Sequence, residues 1–488
     1  MIEYIYIYME DNNKVAKNIV WRLLERFGAQ GVTLIVSIIL ARLLDPTVYG
    51  TIALVTVFTT ILQVFVDSGL ATALVQKKDS DDLDFSTVFW FNIVACLFLY
   101  GLMFALAPLI ASFYGNEDLI VLIRVVSLTI VISGVKNIQQ AYVSKHLLFK
   151  KFFFATLFGT IGAAIAGIWM AYRGYGVWAL VTQNLFNLTV DTIVLWIIVR
   201  WRPKFYFSFK RFKGLFNFGW KMLVSSLLVT IYNELYSLII GKKYTSEDLA
   251  FYNKGTQIPK MLSSNITTAI DSTLLPVMAN AQDDKEKVKI MTRRSIKISS
   301  FLLWPCMLGL AACSTSLISL VLTDKWLEAT PYMMIACFIC GFIPISSANL
   351  NAIKALGRSD LYLILEIIKR VVGLLATLIS MWFGVLWMAL SLIFTNFMSQ
   401  IINAWPVKKL LNYSYKEQLL DLLPSFLLAM VMAVSIYSIN FIGLVNWATL
   451  LIQIPVGVII YVGGAWLLKY ESFPYCLNMI KNIFKRKK

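Results

Sequence analysis

The chain has 488 residues, 59% of them hydrophobic and only 15% charged, with a formal net charge of +17. A soluble chain carries about a quarter charged residues, so the polar surface here is too small for soluble domains. Composition thus excludes an ordinary soluble enzyme, a collagen-like fibre and a disordered chain, and matches an all-α polytopic membrane protein with room for about fourteen helices of roughly 20 residues.

In chain order, the N-terminal MIEYIYIYME has neither a basic leader region nor a small-residue cleavage site, and Met9 stands as an alternative translation start. Segment 1–17 reads as cytoplasmic. Apolar runs at roughly 18–43, 50–74, 86–111, 119–143, 153–172 and 177–199 build an N-terminal six-helix lobe over 18–203. A basic amphipathic cytoplasmic linker follows at 204–218. Runs at 219–240, 250–275, 296–322, 330–352, 361–383 and 385–405 build a C-terminal six-helix lobe over 219–409. An extra helix pair over 410–470 and a basic amphipathic tail at 471–488 complete the chain. The basic stretches are expected to lie on the inner leaflet, against anionic lipid.

The eighth run holds Asn253, Lys254, Gln257, Lys260, Asn265 and Asp271, and hydropathy alone would skip it. Charge parity argues that it crosses. Alternate connections carry clusters such as Lys145, Lys150 and Lys151, and later Lys285, Lys287, Lys289, Arg293, Arg294 and Lys297. They share one side with the KRKK tail only if this run spans. The expected topology is therefore fourteen helices with both termini cytoplasmic. A faint repeat supports two lobes: Gly176-Val177-Trp178-Ala179-Leu180 opens the sixth run, and Gly384-Val385-Leu386-Trp387-Met388-Ala389-Leu390 the twelfth. Six crossings per unit is even, so the repeats are parallel and related by a pseudo-two-fold along the membrane normal, as in transporters with a central cavity.

Charges inside spans cost about 2.5–3.5 kcal/mol each, so each needs a partner or an aqueous cavity. Arg22, Glu25 and Arg26 share one face of the first helix, as Glu366, Lys369 and Arg370 do on the eleventh. Each cluster is net positive, which fits either an intrahelical ion pair or a cationic cavity floor. Lys254, Gln257, Asn265, Thr268 and Asp271 form a polar stripe on the eighth helix, where Pro259 permits a kink. With Lys136 on the fourth helix, the candidate substrate-binding residues are Arg22, Arg26, Lys136, Lys254, Gln257, Asn265, Lys369 and Arg370. Glu25, Asp67, Asp191, Glu234, Asp271 and Glu366 are candidates for ion coupling or charge pairing. No catalytic residue, metal site or cofactor is expected. His146 is the single histidine, and Cys337 and Cys340 sit in an apolar helix without a second pair. The positive charge reads as basic cytoplasmic loops rather than as a nucleic-acid surface.

The strings LARLLDPTVYG at 40–50, VDSGLATALVQKKD at 66–79, FSTVFWFN at 85–92, GYGVWALVTQ at 174–183, RWRPKF at 200–205 and FYNKG at 251–255 resemble the polysaccharide-transport branch of the multidrug/oligosaccharidyl-lipid/polysaccharide exporter superfamily. The resemblance is to Wzx-type flippases, nearest the WzxC-like group. It implies a two-lobed exporter in the bacterial cytoplasmic membrane that moves undecaprenyl-diphosphate-linked oligosaccharide by alternating access, for O-antigen, capsule or exopolysaccharide synthesis. It also implies membrane lipids as surroundings, and a polysaccharide polymerase and glycosyltransferases as pathway partners. The FYNKG likeness assigns a diphosphate-facing role to Lys254. The alternatives are a cation-coupled multidrug exporter of the same superfamily and a membrane polysaccharide polymerase. The net-basic clusters and short external loops weigh against them.

Overall fold

A computed structural model describes residues 28–474 except 29, 68, 78 and 147. Arg22, Glu25, Arg26, Met9 and the tail beyond residue 474 lie outside the described residues. Every regular element described is helical. Eleven helices among the described residues are long and apolar enough to cross a membrane, and the protein is a multi-pass membrane protein.

The chain divides into two compact units, between Leu249 and Ala250. The first contains α1 (Gln30–Leu43), α2 (Pro46–Asp67), α3 (Leu70–Gln76), α4 (Asp82–Tyr114), α5 (Leu119–Val126), α6 (Leu128–Lys145), α7 (Phe149–Tyr172), α8 (Val177–Ile198) and α9 (Phe209–Lys243). Helix α10 (Ser246–Ala279) begins at the boundary and belongs mainly to the second unit. That unit continues with α11 (Lys285–Ala312), α12 (Ser314–Leu322), α13 (Thr330–Gly341), α14 (Ile343–Ala355), α15 (Ser359–Ser380), α16 (Val385–Leu411), α17 (Tyr415–Ser438) and α18 (Asn446–Leu467).

Several expected single runs are broken in the middle, each for a local reason. The run at 50–74 stops at Asp67 and resumes at Leu70, because Gly69 takes φ +88°, a left-handed conformation that no helix continues through. The run at 330–352 is interrupted at Phe342, one residue ahead of a first turn that holds Pro344. A proline there has no N–H to offer the preceding turn, and it suits the start of a new helix. Helix α4 begins on a capping box, with Asp81 accepting from Asp84 N and the Asp84 side chain returning to Asp81 N. Helix α17 repeats the device with Ser414 and Glu417.

The linker expected at 204–218 is divided. Residues 199–208 carry no helix, and from Phe209 the chain forms one unbroken helix of 35 residues. At 1.5 Å per residue that is about 52 Å, longer than the roughly 30 Å hydrocarbon layer, so one end must project into the interface. Helix α9 packs on α2, α3 and α4 of the same unit. The eighth run forms a continuous helix of 34 residues through Pro259. As expected, it is absent from the apolar set, and so is α15 with its Glu366, Lys369 and Arg370.

The repeat noted in the sequence falls at one structural position. Gly176 caps the start of α8 and Gly384 the start of α16, both at positive φ. Each helix packs on its predecessor, α8 on α7 and α16 on α15. The first unit is cored by Phe85, Phe89, Leu74, Leu195 and Trp201, and the second by Trp304, Phe342, Ile353 and Tyr413.

One close approach explains the glycine of the VYG string. A Cβ on Gly50 would lie 1.8 Å from the Ser246 carbonyl oxygen, a backbone atom with nowhere to go. Gly50→Ala is therefore expected to destabilise the protein by about 1–3 kcal/mol, as overpacking does. Thermal unfolding in detergent measures this, and an unchanged midpoint would refute the contact.

Candidate functional site

In the first unit the polar residues of three helices converge. Lys136 on α6 makes an ion pair with Asp191 Oδ2 on α8, and both side chains are largely buried, at 14% and 9% exposure. The Asp67 carboxylate, at the end of α2, accepts from Gln63 at 3.0 Å and from Asn137 of α6 at 3.1 Å. The same Asn137 amide donates to the Val66 carbonyl, which ties α6 to the last turn of α2. Behind this cluster, Asn92 of α4 donates to the Gly134 carbonyl at 3.0 Å. The backbone of α7 presses in at Gly159, where a Cβ would meet Asn187 O at 2.9 Å and Asp191 Cβ at 3.1 Å. A lysine and two carboxylates are thus held inside a span by helix packing, where each charge costs several kcal/mol unless it is compensated. Glu234 of α9 is half-buried in this unit.

In the second unit α10 carries the expected stripe. Gln257, Asn265 and Thr268 are exposed, and Lys254 and Asp271 are half-buried. The turn at Lys254 is rigidly seated. A Cβ on Gly255 would lie 2.5 Å from the Ala329 carbonyl and 2.8 Å from Tyr332 Cβ, so α10 runs backbone-close to α13 there. Asp271 accepts from the Ser347 hydroxyl and, at 2.7 Å, from the Asn351 amide, both on α14. On α15 Glu366 binds Lys369 and, at 3.5 Å, Arg370. The intrahelical ion pair expected as one of two readings is therefore formed, with one acid holding two bases.

The second unit also has an apolar groove of about 700 Å³. Its walls come from α11 (Pro305, Cys306, Gly309), α17 (Met432, Ile436) and α18 (Gly457, Tyr461), and Leu262 of the polar helix α10 lines it too. The same helix thus offers an apolar side chain to the groove and carries Lys254 and Asp271 elsewhere along its length.

Known proteins share this architecture and sequence. Residues 39–331, more than half of the chain, match the family described as "Polysaccharide biosynthesis protein". The chain belongs to that family. Its relatives include the teichuronic acid biosynthesis protein TuaB of Bacillus subtilis, 25% identical over 62% of this chain and 63% of that protein, just under two thirds of its length. The lipopolysaccharide biosynthesis protein WzxC of Escherichia coli is 23% identical over 84% of each chain. Among solved structures, the lipid II flippase MurJ in an inward closed conformation superposes with a TM-score of 0.74, covering 92% of this chain and 99% of that one at 15% identity. At that identity the likeness establishes the fold.

Some family strings hold structural rather than ligand-facing residues. Asp84, one residue before FSTVFWFN, is fully buried and binds both Lys77 and, at 2.9 Å, Arg211. Ser86 and Thr87 accept the backbone amides of Lys204 and Ser208, and Trp90 Nε1 donates to the Lys204 carbonyl at 2.8 Å. The start of α4 therefore grips the RWRPKF segment and the first turn of α9. Asp81 also pairs with Arg211; burial opposes its ionisation, but the Asp84 amide and the guanidinium outweigh it and hold the carboxyl below its ordinary range.

Sequence reasoning did not single out Gln63, Asn137 or the polar string of α14. The signal for α14 was present, because Ser346, Ser347, Asn349 and Asn351 crowd one apolar helix. Their partners are distributed: Asn349 donates to Gln418 of α17 at 2.8 Å, and Ser346 accepts from Asn403 of α16 at 2.7 Å.

Proposed function

We propose that the protein is a flippase for undecaprenyl-diphosphate-linked oligosaccharide, working by alternating access in polysaccharide synthesis. The observation that carries this reading is the amphiphilic character of the second unit. An apolar groove and a polar, lysine-bearing helix meet at Leu262, so one molecule can lay a hydrocarbon chain in the groove and hold an anionic headgroup against the polar stripe. Apolar burial favours the tail at about 25 cal/mol per Å². Charge-assisted hydrogen bonds suit the diphosphate, and neutral amides and hydroxyls suit sugars. The names of TuaB, WzxC and MurJ point the same way. Lys254, Gln257, Asn265, Lys369 and Arg370 of the second unit are the headgroup-facing candidates; Lys136, Arg22 and Arg26 are substrate-binding candidates on the sequence alone.

The topology that accompanies this reading has fourteen spans, with α10, α15 and the first helix joining the eleven apolar ones. Both termini face the cytoplasm, and the membrane is the inner one. The described connections between helices are short. A polymerase needs room outside the bilayer for catalytic acids and bases, so the transporter reading is favoured.

Groove and cargo are tested together with the full chain reconstituted in vesicles and a fluorescent undecaprenyl-diphosphate-linked oligosaccharide. Cys306 is exposed on the groove wall, so Cys306→Trp fills the groove without crowding the core. Transport is expected to fall about tenfold or more with Cys306→Trp and to persist with Cys306→Ala. A wild-type chain that ignores this lipid but extrudes a lipophilic cation would be a drug exporter instead.

A further inference from the structure

The second unit has a basic pocket of about 310 Å³ beside the apolar groove. Arg293, Arg294 and Lys297 line it from the first turns of α11, and Glu471 and Ser472 line it from the segment that follows α18. Steps of three and four residues carry the same face of α11 on through Phe301, Leu302, Pro305 and Cys306, which line the groove. On the opposite wall Ser472 of the pocket is followed directly by Phe473 of the groove. Lys297 and Phe301 are one helical turn apart, about 6 Å along the axis. Cations and hydrocarbon thus share one continuous surface within a single unit.

The cations are held in different ways. Asp421 of α17, only 5% exposed, accepts from Arg293 Nε at 2.7 Å and from Arg293 Nη2 at 2.9 Å, and the Tyr413 hydroxyl donates to the same carboxylate at 2.8 Å. A buried acid therefore fixes the guanidinium and uses two of its five N–H groups, leaving three for the pocket that Arg293 lines. Lys297 meets Glu471 at 2.8 Å, but that carboxylate is 82% exposed. A pair so open to water contributes little, so an anion entering the pocket can draw Lys297 away from Glu471. The wall behind is anchored, because the Tyr470 hydroxyl donates to the Pro424 carbonyl of α17 at 2.8 Å and the Tyr470 ring lies against Phe301.

We propose that this pocket binds the phosphate of an anionic phospholipid of the phosphatidylglycerol type, whose acyl chain enters the groove at Leu302. Guanidinium and ammonium groups bind phosphate oxygens through charge-assisted hydrogen bonds. The proposed topology turns this end of α11 to the cytoplasm, where basic pockets between helices take anionic headgroups. A free phosphate would leave the adjoining groove without an occupant. A zwitterionic lipid would bring its own ammonium to a wall that already holds three cations. A diphosphate carrying several sugars is too large for about 310 Å³, so the cargo's headgroup does not fill this place. The site goes beyond the flippase reading and does not depend on it.

Native mass spectrometry of the full chain in detergent tests the site. The wild type is expected to hold one phosphatidylglycerol about tenfold more tightly than phosphatidylcholine. The double substitution Arg294→Gln and Lys297→Gln should weaken phosphatidylglycerol about 10- to 30-fold, since each cation beside an anionic headgroup contributes about fivefold. Glu471→Gln should tighten it severalfold, because the rim no longer competes for Lys297. That variant, an exposed and isosteric change, decides the matter if the double variant cannot be recovered folded. Glycerophosphoglycerol, the same headgroup without chains, should bind at least tenfold more weakly, because it buries nothing in the groove. Phosphatidylglycerol held equally by the wild type and both variants overturns the proposal, and so does equal binding of the chainless headgroup. Undecaprenyl diphosphate held more tightly than phosphatidylglycerol, with the same dependence on Arg294 and Lys297, overturns it as well and gives the pocket to the cargo.

Discussion

Lys254→Ala is expected to abolish glycan display in a strain whose own flippase has been deleted, while the protein accumulates at its normal level. Lys254 sits half-buried on a helix that is backbone-close to α13 at the adjacent Gly255, so its stem starts from a fixed point. A charge-assisted hydrogen bond to a diphosphate contributes about 1.5–3 kcal/mol, so its loss weakens binding roughly 10- to 150-fold. Removing a charge from a span lowers insertion cost, which is why accumulation should not suffer. Lys254→Arg should keep most of the activity, because the charge remains at the same place. Arg26→Ala is expected to behave as Lys254→Ala does. Wild-type display from both alanine variants would remove the cationic site.

The second large effect concerns folding rather than transport. Asp84→Ala strips the shared partner from Lys77 and Arg211 at the point where α4 grips the first turn of α9. The two cations are 40% and 32% exposed, so solvent screens part of the loss. The carboxylate itself is fully buried, and its removal also deletes half of the α4 capping box. A cost of about 1.5–3 kcal/mol is expected, read as a lower unfolding midpoint and a reduced yield of monodisperse protein. Arg211→Lys keeps the charge but not the two-pronged reach to Asp81 and Asp84, and should cost less. A stable Asp84→Ala protein that fails only in transport would place Asp84 in the moving parts instead.

Most of the helices could be read from the chain because membrane insertion is decided segment by segment. Each run of apolar residues carries its own reason to cross, whatever surrounds it. The case that α10 crosses, which hydropathy misses, rests on the sidedness of the basic loops alone. The internal breaks at Gly69 and Phe342 were harder to see, since a helix that resumes two or three residues later leaves the apolar run unbroken in the sequence. The continuity of α9 was also concealed, because its basic first turns resemble a separate surface helix until the unbroken backbone joins them to the span.

The site was legible in its residue types and not in its pairings. The chain alone established a helical membrane protein with a few misplaced charges on particular helices, and the family strings pointed to polysaccharide transport. Which charge neutralises which was decided by the tertiary structure. Lys136 finds Asp191, and Asp84 gathers Lys77 and Arg211, while Asp271 settles for the neutral Ser347 and Asn351. The physical reason is range. Hydropathy is a local sum over one segment, whereas an ion pair inside a bilayer depends on how two distant helices are rotated and how closely they approach. The few buried charges therefore report function only once their partners are known.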